Sequence, residues 1–242
     1  MLVGAGLAYA IGPETIYVCA GRVWRDSGCV KIHVLPSGPI QTIGYLLTEP
    51  KSGEAVLVDA PGGILAKVRP VLEKEGCGLK ELWLTHGHWD HTQDAAKVKR
   101  ETGATVRAHR ADQVLIETPE VMEEFLPDGL RLEPVKIDQF VAQGQRFTAL
   151  GRKVEVRHVP GHCAGNVLFY LADARVALVG DALFNGSVGR TDLPGGDFPT
   201  LERSIRGQIY TLPDETVVLP GHGPRTTVGA EKAGNPFVAA EA

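Results

Sequence analysis

The sequence predicts an α/β protein in which two β-sheets pack face to face and helices cover their outer faces. Both halves of the 242-residue chain contain short segments rich in β-branched and aliphatic residues, and each half also contains helical patterns. A sheet with an apolar face must bury that face against another layer, so this order suits two packed sheets. Hydrophobic residues make up 43% of the chain, which is ordinary for a globular protein with a substantial core.

The first half of the chain contains five predicted strands and two predicted helices. The strands lie at residues 30–35, 42–48, 55–59, 81–84 and 105–108. One amphipathic helix is predicted at residues 64–75, where Gly76 ends it, and a second from about residue 92 to residue 102, where Gly103 ends it. Residues 110–134 are acidic and contain two prolines before Pro134, which predicts a short helix followed by an irregular connector.

The second half contains further strands and one helix. The strands are predicted at residues 147–150, 154–159, 167–171, 176–179 and 216–219, and the helix at residues 198–210. We expect residues 29–242 to form a single domain and residues 1–28 to be an N-terminal extension, to which no role is assigned. The start is apolar but lacks the basic segment of a signal peptide, and no apolar run reaches the roughly 18 residues that span a bilayer.

The composition excludes some classes of partner. The formal net charge is −4 and no basic block stands out, so a nucleic-acid partner is not expected. The four cysteines form no C-x-x-C pair, which indicates reduced thiols in a reducing compartment and therefore a cytoplasmic location. The composition is compatible with an oligomer but does not specify one.

One short segment, His86-x-His88-x-Asp90-His91, contains four candidate metal ligands within six residues. It directly follows the predicted strand at residues 81–84, and α/β proteins usually bind ligands at the carboxyl ends of strands. A lone histidine on an apolar face is usually a satisfied core residue, but so many polar side chains would be a costly way to build a core. The segment therefore predicts a metal site.

Three more candidate ligands share this context. His162, Asp181 and His222 each follow a predicted strand, and a glycine that lets the backbone turn sharply precedes each of them. Imidazole and carboxylate ligands without cysteine favour Zn, with Fe or Mn as alternatives. Seven ligands exceed what one tetrahedral ion needs, so two divalent ions are inferred.

The His-x-His-x-Asp-His segment, followed by a lone His, a lone Asp and a lone His, resembles the metallo-β-lactamase superfamily from about Val30 to the C-terminus. The resemblance implies an αββα sandwich. It implies that one metal is held by His86, His88 and His162, that a second is held by Asp90, His91 and His222, and that Asp181 bridges them. Asp59 matches an aspartate that orients a ligand histidine in this superfamily. The alternative is that Asp59 caps the turn that follows it.

The chemistry follows from this metal assignment. Two ions about 3.5–4 Å apart would share a hydroxide that attacks a carbonyl, with Asp90 and Asp181 as the catalytic carboxylates. No Ser or Cys nucleophile is required. The sequence thus predicts a metal-dependent hydrolase.

Within the superfamily, residues 186–197 and 219–224, together with the segment Asn235-Pro236-Phe237, are similar to the short glyoxalase II-like branch. Those proteins resemble hydroxyacylglutathione hydrolase, so the implied substrate is S-lactoylglutathione or a related acyl thioester. Arg190 matches a cationic position that contacts glutathione, although it could instead pair with Asp192 or Asp197.

Two features depart from that branch. The chain is too short for the helical C-terminal domain that adds glutathione contacts, so a broader thioesterase remains open. Cys163 and Asn166 stand where the family usually has Thr and Ser or another small residue. We interpret Cys163 as a small buried residue that fills this space rather than as a redox group.

Three alternatives to a thioesterase remain. A persulfide dioxygenase would use the same scaffold with one Fe(II) held by His86, His162 and Asp181. The segment from Pro220 to Pro224 favours the hydrolase. A β-lactamase or another broad-specificity metallohydrolase is the second alternative. The complete ligand set argues against the third, a non-catalytic binding protein.

Overall fold

The computed structural model describes residues 9–10, 15–18 and 30–239, and these form two large mixed sheets. The first sheet has eight strands in sequence order. Its strands are β1 (Tyr9–Ala10), β2 (Thr15–Val18), β3 (Val30–Ser37), β4 (Thr42–Glu49), β5 (Glu54–Val58), β6 (Gly78–Trp83), β7 (Thr105–His109) and β8 (Gln139–Val141). Neighbours are antiparallel from β1 to β5 and parallel from β5 to β8.

The second sheet has six strands in the order β16-β15-β12-β11-β10-β9, and only the β12–β15 pair is parallel. The strands of the second half of the chain are β9 (Arg146–Ala149), β10 (Arg152–His158), β11 (Val167–Leu171), β12 (Val176–Gly180), β13 (Leu183–Phe184), β14 (Ser187–Val188), β15 (Val217–Pro220) and β16 (Thr226–Thr227). Strands β13 and β14 form a small separate hairpin.

The two sheets bury a shared core between their inner faces. Side chains alternate along each strand, so Leu47 of β4 and Phe169 of β11 belong to this core, whereas Leu46 and Leu168 lie on the outer faces. The side chain of Trp83 in β6 contacts the other sheet, since its ring centroid lies 4.9 Å from that of Phe169 in β11. Aromatic contacts of this kind add to the area that the two sheets bury.

Helices cover both outer faces. The helices are α1 (Ile64–Glu75), α2 (Trp89–Thr92), α3 (Ala95–Thr102), α4 (Gln113–Glu117), α5 (Phe198–Ser204) and α6 (Val228–Gly234). Helices α1 and α3 pack on the first sheet, while α5, the π-helical turn Ile205–Ile209 and α6 pack on the second. The predicted sandwich of two mixed sheets flanked by helices is therefore confirmed.

Helix α1 has the predicted bounds, because Gly76 adopts a left-handed conformation (φ 66°) and its N–H bonds back to the last turn. The helix predicted from residue 92 to residue 102 is instead divided into α2 and α3. Asp94 separates them, since its N–H donates to Ala60 O at 2.8 Å and its carboxylate accepts from Gly63 N–H at 2.9 Å. The long helix prediction was wrong here because a contact with a distant loop outweighs helical periodicity.

The predicted helix at residues 198–210 is also divided, into α5 and the π-helical turn. Strand β2 pairs with β3, so residues 15–18 contribute to the first sheet. The division at residue 28 between extension and domain stays a prediction. In the ranges that the structure describes, every helix is too short or too polar to cross a membrane.

Candidate metal centre

All seven predicted ligands lie at one end of the sandwich, where strands of both sheets stop. Four follow β6, and the other three follow β10, β12 and β15. Two backbone hydrogen bonds join the sheets at this end, from Ile43 N–H to Gly221 O and from Val167 N–H to Thr85 O, each 2.8 Å long. Ligands that are far apart in the sequence therefore converge on one cleft.

The structure brings the predicted ligands into two groups of three. The donor atoms within each group all lie within 4.8 Å of one another, and each group could hold a metal ion. The groups are His86 with His88 and His162, here called the three-histidine group, and Asp90 with His91 and His222, here called the mixed group. Asp181 forms a third such set with His86 and His91, so its carboxylate lies between the two groups.

Several buried atoms at this centre have no protein partner that satisfies them. His86 Nε2, His91 Nε2 and Asp181 Oδ1 are inaccessible to solvent and make no hydrogen bond within the described part of the chain. Leaving a buried polar atom unpaired costs on the order of 1–3 kcal/mol. Cations bound at the two ligand groups would accept the lone pairs of these atoms, so the residues present fit a metal centre.

Two members of the three-histidine group, His86 and His88, are held in the neutral form that binds metal. Burial, together with the neighbouring His91 and His88, lowers the pKa of His86 well below its ordinary value. Burial and the adjacent His162 lower the pKa of His88 to about 3. Neutral imidazole nitrogens are the metal-binding form, so His86 and His88 need not release a proton before they bind an ion at neutral pH.

The mixed group has strong negative potential. His91 Nε2 lies 3.2 Å from Asp181 Oδ1 and 3.3 Å from Asp90 Oδ2. Burial alone would lower the pKa of His222, but Asp181 and Asp90 outweigh burial and raise it to about 9. Burial alone would raise the pKa of Asp181, but His91 and then His222 hold it well below the ordinary value. The same carboxylates would attract a divalent cation.

Asp59 makes the contacts expected of an aspartate that orients a ligand. Its carboxylate accepts from both the backbone N–H and the hydroxyl of Thr85, each at 2.8 Å, and lies 2.8 Å from His91 Nδ1. This contact turns His91 Nε2 towards Asp90 and Asp181. Asp59 has a left-handed conformation (φ 61°), which is unusual for a residue other than glycine. These contacts favour orientation of His91 over capping of the following turn.

Two glycines are required by the shape of the centre. A Cβ at Gly221 would collide with Asp181 Oδ1 and lie 2.6 Å from His91 Cε1. Gly161 has φ 127°, and a Cβ there would collide with the backbone of Leu201. The glycines that precede His162 and His222 therefore let other chain segments approach closely, as their positions in the sequence suggest.

Arg190 contributes to the centre through its backbone. Its carbonyl oxygen lies 2.7 Å from His162 Nδ1, which leaves Nε2 of that ring for the three-histidine group. Its guanidinium is exposed and makes a bidentate pair with Asp192, at 2.7 and 2.6 Å. Asp197 instead caps α5 by accepting from Thr200 N–H at 2.9 Å. A substrate contact for Arg190 stays a prediction.

Two residues that support the centre were not predicted. Thr42 donates its hydroxyl to Asp90 Oδ2 at 2.6 Å. Asp112 is buried, and its carboxylate accepts from Gly87 N–H at 2.8 Å and from the Cys163 thiol at 3.2 Å. Asp112 follows β7 as the predicted ligands follow their strands, and this was the available signal. Its partners lie too far along the chain for local patterns to indicate them.

Cys163 is fully buried, and burial followed by the charge of Asp112 raises the pKa of its thiol well above the ordinary value. A buried thiol of this kind is chemically inert, which agrees with a space-filling residue rather than a redox group. Cys77 and Cys163 are free thiols, while Cys19 and Cys29 lie outside the described residues.

A family model of the metallo-β-lactamase superfamily matches residues 38–222, a range that contains all seven candidate ligands. The chain therefore belongs to the metallo-β-lactamase superfamily. The family and the site together define a metallohydrolase.

Named relatives and solved structures agree with this family. Hydroxyacylglutathione hydrolase GloC of Haemophilus influenzae is 34% identical, over 86% of this chain and 98% of that protein. The B3 metallo-β-lactamase BLEG-1 superposes with a TM-score of 0.79 at 35% identity, covering 86% of this chain and 99% of that one. The protein TTHA1623 in a di-iron-bound form has a TM-score of 0.74 at 36% identity, covering 84% and 98%.

Proposed function

We propose that this protein is a dinuclear-metal thioester hydrolase of the glyoxalase II type, acting on S-lactoylglutathione or a related acyl thioester. The observation that carries the proposal is the pair of three-ligand groups with Asp181 between them. The name of the Haemophilus influenzae relative, at 34% identity over nearly its whole length, supports the substrate class. A second relative with the name hydroxyacylglutathione hydrolase, from Ruegeria pomeroyi, is 32% identical over 178 residues.

In this proposal each ion has its own ligands. The three-histidine group would hold one ion and the mixed group the other, while the two carboxylate oxygens of Asp181 would face both. Asp181 Oδ1 lies 3.2 Å from His91 Nε2, and Oδ2 lies 3.7 Å from His162 Nε2. Zinc is our first choice of metal, and the di-iron form of TTHA1623 supports iron as the alternative. When bound, two such ions lower the pKa of a shared water and polarise a carbonyl.

The protein's own side chains would set the charge and the orientation of the groups around the metal ions. Asp90 and Asp181 both have a lowered pKa, so their carboxylates are ionised at neutral pH, which is the form that would hold a divalent cation and orient a water beside it. The Thr42 hydroxyl donates to Asp90 Oδ2 and thereby fixes that carboxylate. The Cys163 thiol donates to Asp112 and its pKa is raised, so it does not serve as a nucleophile.

A second candidate substrate class is β-lactams, because the BLEG-1 β-lactamase has a TM-score of 0.79 at 35% identity. Both reactions begin with attack of water on a carbonyl, so the metal centre itself does not separate them. The difference would lie in residues that contact the substrate, and Arg190, whose guanidinium is exposed, is the candidate for such a contact. A cytoplasmic location is part of the main proposal and rests on the expectation of reduced thiols.

The test is a metal analysis combined with parallel assays on one preparation. The assays are hydrolysis of S-lactoylglutathione, oxidation of glutathione persulfide with oxygen uptake, and hydrolysis of a β-lactam. We expect two metal ions per chain and the highest kcat/KM on the thioester. One iron per chain with oxygen uptake would replace the proposal with a dioxygenase, and preferential turnover of the β-lactam would replace it with a β-lactamase.

A further inference from the structure

Asp112 is a buried carboxylate that the proposed reaction does not use. It ends the 3₁₀ turn Arg110–Asp112, which follows β7, and its side chain is 1% exposed. Asp112 stands immediately before α4 yet makes no capping hydrogen bond to that helix. Its side chain is directed instead into the protein, towards the loops that carry metal ligands.

Every hydrogen bond to this carboxylate comes from a residue beside the three-histidine group. Gly87, which donates its backbone N–H at 2.8 Å, lies between His86 and His88 in the sequence. Cys163, which donates its thiol to the same carboxylate oxygen, Oδ2, at 3.2 Å, directly follows His162. The other oxygen, Oδ1, lies beside Gly165 and makes no hydrogen bond within the described residues. The carboxylate thus joins the loop after β6 to the loop after β10.

The packing around Asp112 leaves little room for these loops to shift. A Cβ at Gly87 would lie 3.1 Å from Asp112 Cβ and 2.7 Å from Leu115 Cβ. A Cβ at Gly165 would collide with the Asp112 carboxylate itself. The backbones of Gly87 and Gly165 therefore pack directly against the Asp112 side chain. Packing this close couples the position of that side chain to the positions of the two loops.

The surroundings of Asp112 make these two donors important for its stability. Among the ion pairs of the described residues, none involves Asp112. A buried carboxylate without a cationic partner must be stabilised by hydrogen bonds, and such charge-assisted bonds are stronger than neutral ones. Movement of either loop would remove one of the two hydrogen bonds to Asp112 Oδ2, so the native position of both loops is favoured.

We infer that Asp112 is a positioning residue that holds His86, His88 and His162 in register for one metal ion. Asp59 contacts His91 of the mixed group, and it also accepts from the Thr85 hydroxyl, which lies 3.1 Å from His86 Nδ1, so Asp59 reaches both groups. The hydrogen bonds of Asp112, by contrast, come only from residues beside ligands of the three-histidine group. This inference rests on the two-metal centre proposed above, and it predicts that loss of the Asp112 contacts weakens the three-histidine group and leaves the mixed group intact.

The experiment is a double-mutant cycle on zinc-loaded protein. Asp112→Asn keeps the size of the side chain but replaces one acceptor oxygen with a donor. It is combined with His222→Ala, which leaves the three-histidine group complete, and with His88→Ala, which leaves the mixed group complete. Zinc retained per chain is measured during titration with a chelator. We expect Asp112→Asn to weaken zinc binding about 10–100-fold in the His222→Ala background and to change it little in the His88→Ala background.

Equal weakening in both backgrounds, or none in the first, would overturn the inference. Cys163 provides a milder pair of variants, which decides the matter if Asp112→Asn does not fold. Cys163→Ala removes one donor and should weaken zinc binding several-fold in the His222→Ala background, whereas Cys163→Ser keeps a donor and should restore it. Equal zinc retention in these two variants would overturn the inference. If the unmutated protein binds fewer than two zinc ions, the proposed function fails instead.

Discussion

Replacing Asp59 with asparagine tests how the mixed group is oriented. Oδ1 of Asp59 accepts from Thr85 N–H, and Oδ2 accepts from the Thr85 hydroxyl and lies against His91 Nδ1. An amide offers only one acceptor oxygen. If that oxygen stays with His91, the amide nitrogen faces the backbone N–H of Thr85. If it turns the other way, His91 must carry its proton on Nε2, and that nitrogen then cannot bind metal.

Either outcome has a measurable size. Two donors facing each other in a buried site cost about 1–3 kcal/mol, and the melting temperature of a protein of this size falls by roughly 2–4 °C for each kcal/mol. A wrong tautomer lowers metal affinity about 10–100-fold. We therefore expect Asp59→Asn to lower the unfolding free energy of the chelator-treated protein, its zinc affinity, or both.

The measurements are urea unfolding with chelator present and zinc retention during chelator titration. Asp214→Asn is the matched control, because it makes the same chemical change in an exposed pair with Lys232 and should cost less than about 1 kcal/mol. If Asp59→Asn matches this control in both stability and zinc affinity, the orienting role of Asp59 is wrong.

Three further predictions concern the ligands, the cleft mouth and pH. We expect His88→Ala to abolish thioester hydrolysis and lower the bound metal, as measured by metal analysis and assay; a metal-free variant with full activity would refute the two-metal centre. Arg190→Ala should raise KM for S-lactoylglutathione with kcat little changed. Asp192→Asn, which frees the guanidinium from its ion pair, should not raise KM. Equal KM values for Arg190→Ala and the unmutated protein would assign Arg190 to the ion pair alone. Burial and then His158 lower the pKa of His109 to about 4. Between pH 6.5 and pH 4, His109 is therefore protonated in the unfolded chain but not in the folded chain, so the free energy of unfolding decreases as the pH falls. His109→Asn should make the unfolding free energy less dependent on pH in this window, and identical pH slopes would contradict this reasoning.

Much of the fold was predictable because its signals are local. The inner and outer residues of β4 and β11 alternate along each strand, and Gly76 ends α1 through its own left-handed conformation. The ligands were predictable for a similar reason, since four of them lie within six residues and three more follow strands and glycines. Patterns of this kind need no knowledge of distant contacts.

The features that were not predicted depend on residues far along the chain. Strand β8 has only three residues and exists because β7 provides parallel partners. The break between α2 and α3 depends on contacts of Asp94 with the loop after β5. Asp112 reaches partners 25 and 51 residues away. Periodicity and local composition contain no information about such contacts, which arise only when the sheets pack.

The structure has an irregular connector at residues 126–138, between the 3₁₀ helix Pro119–Phe125 and β8, and this connector separates the candidate ligands of the first half of the chain from those of the second. His86 and His88 precede it and His162 follows it, so an ion held by all three would fasten together parts of the chain 74 residues apart. Because the unfolded chain has no preformed site, binding of the ion would stabilise the folded state, in which these distant segments are adjacent. Each ion would thus act as a removable cross-link between the two halves. A protein nicked within the connector should keep its halves associated while metal is bound, and a chelator should promote their separation.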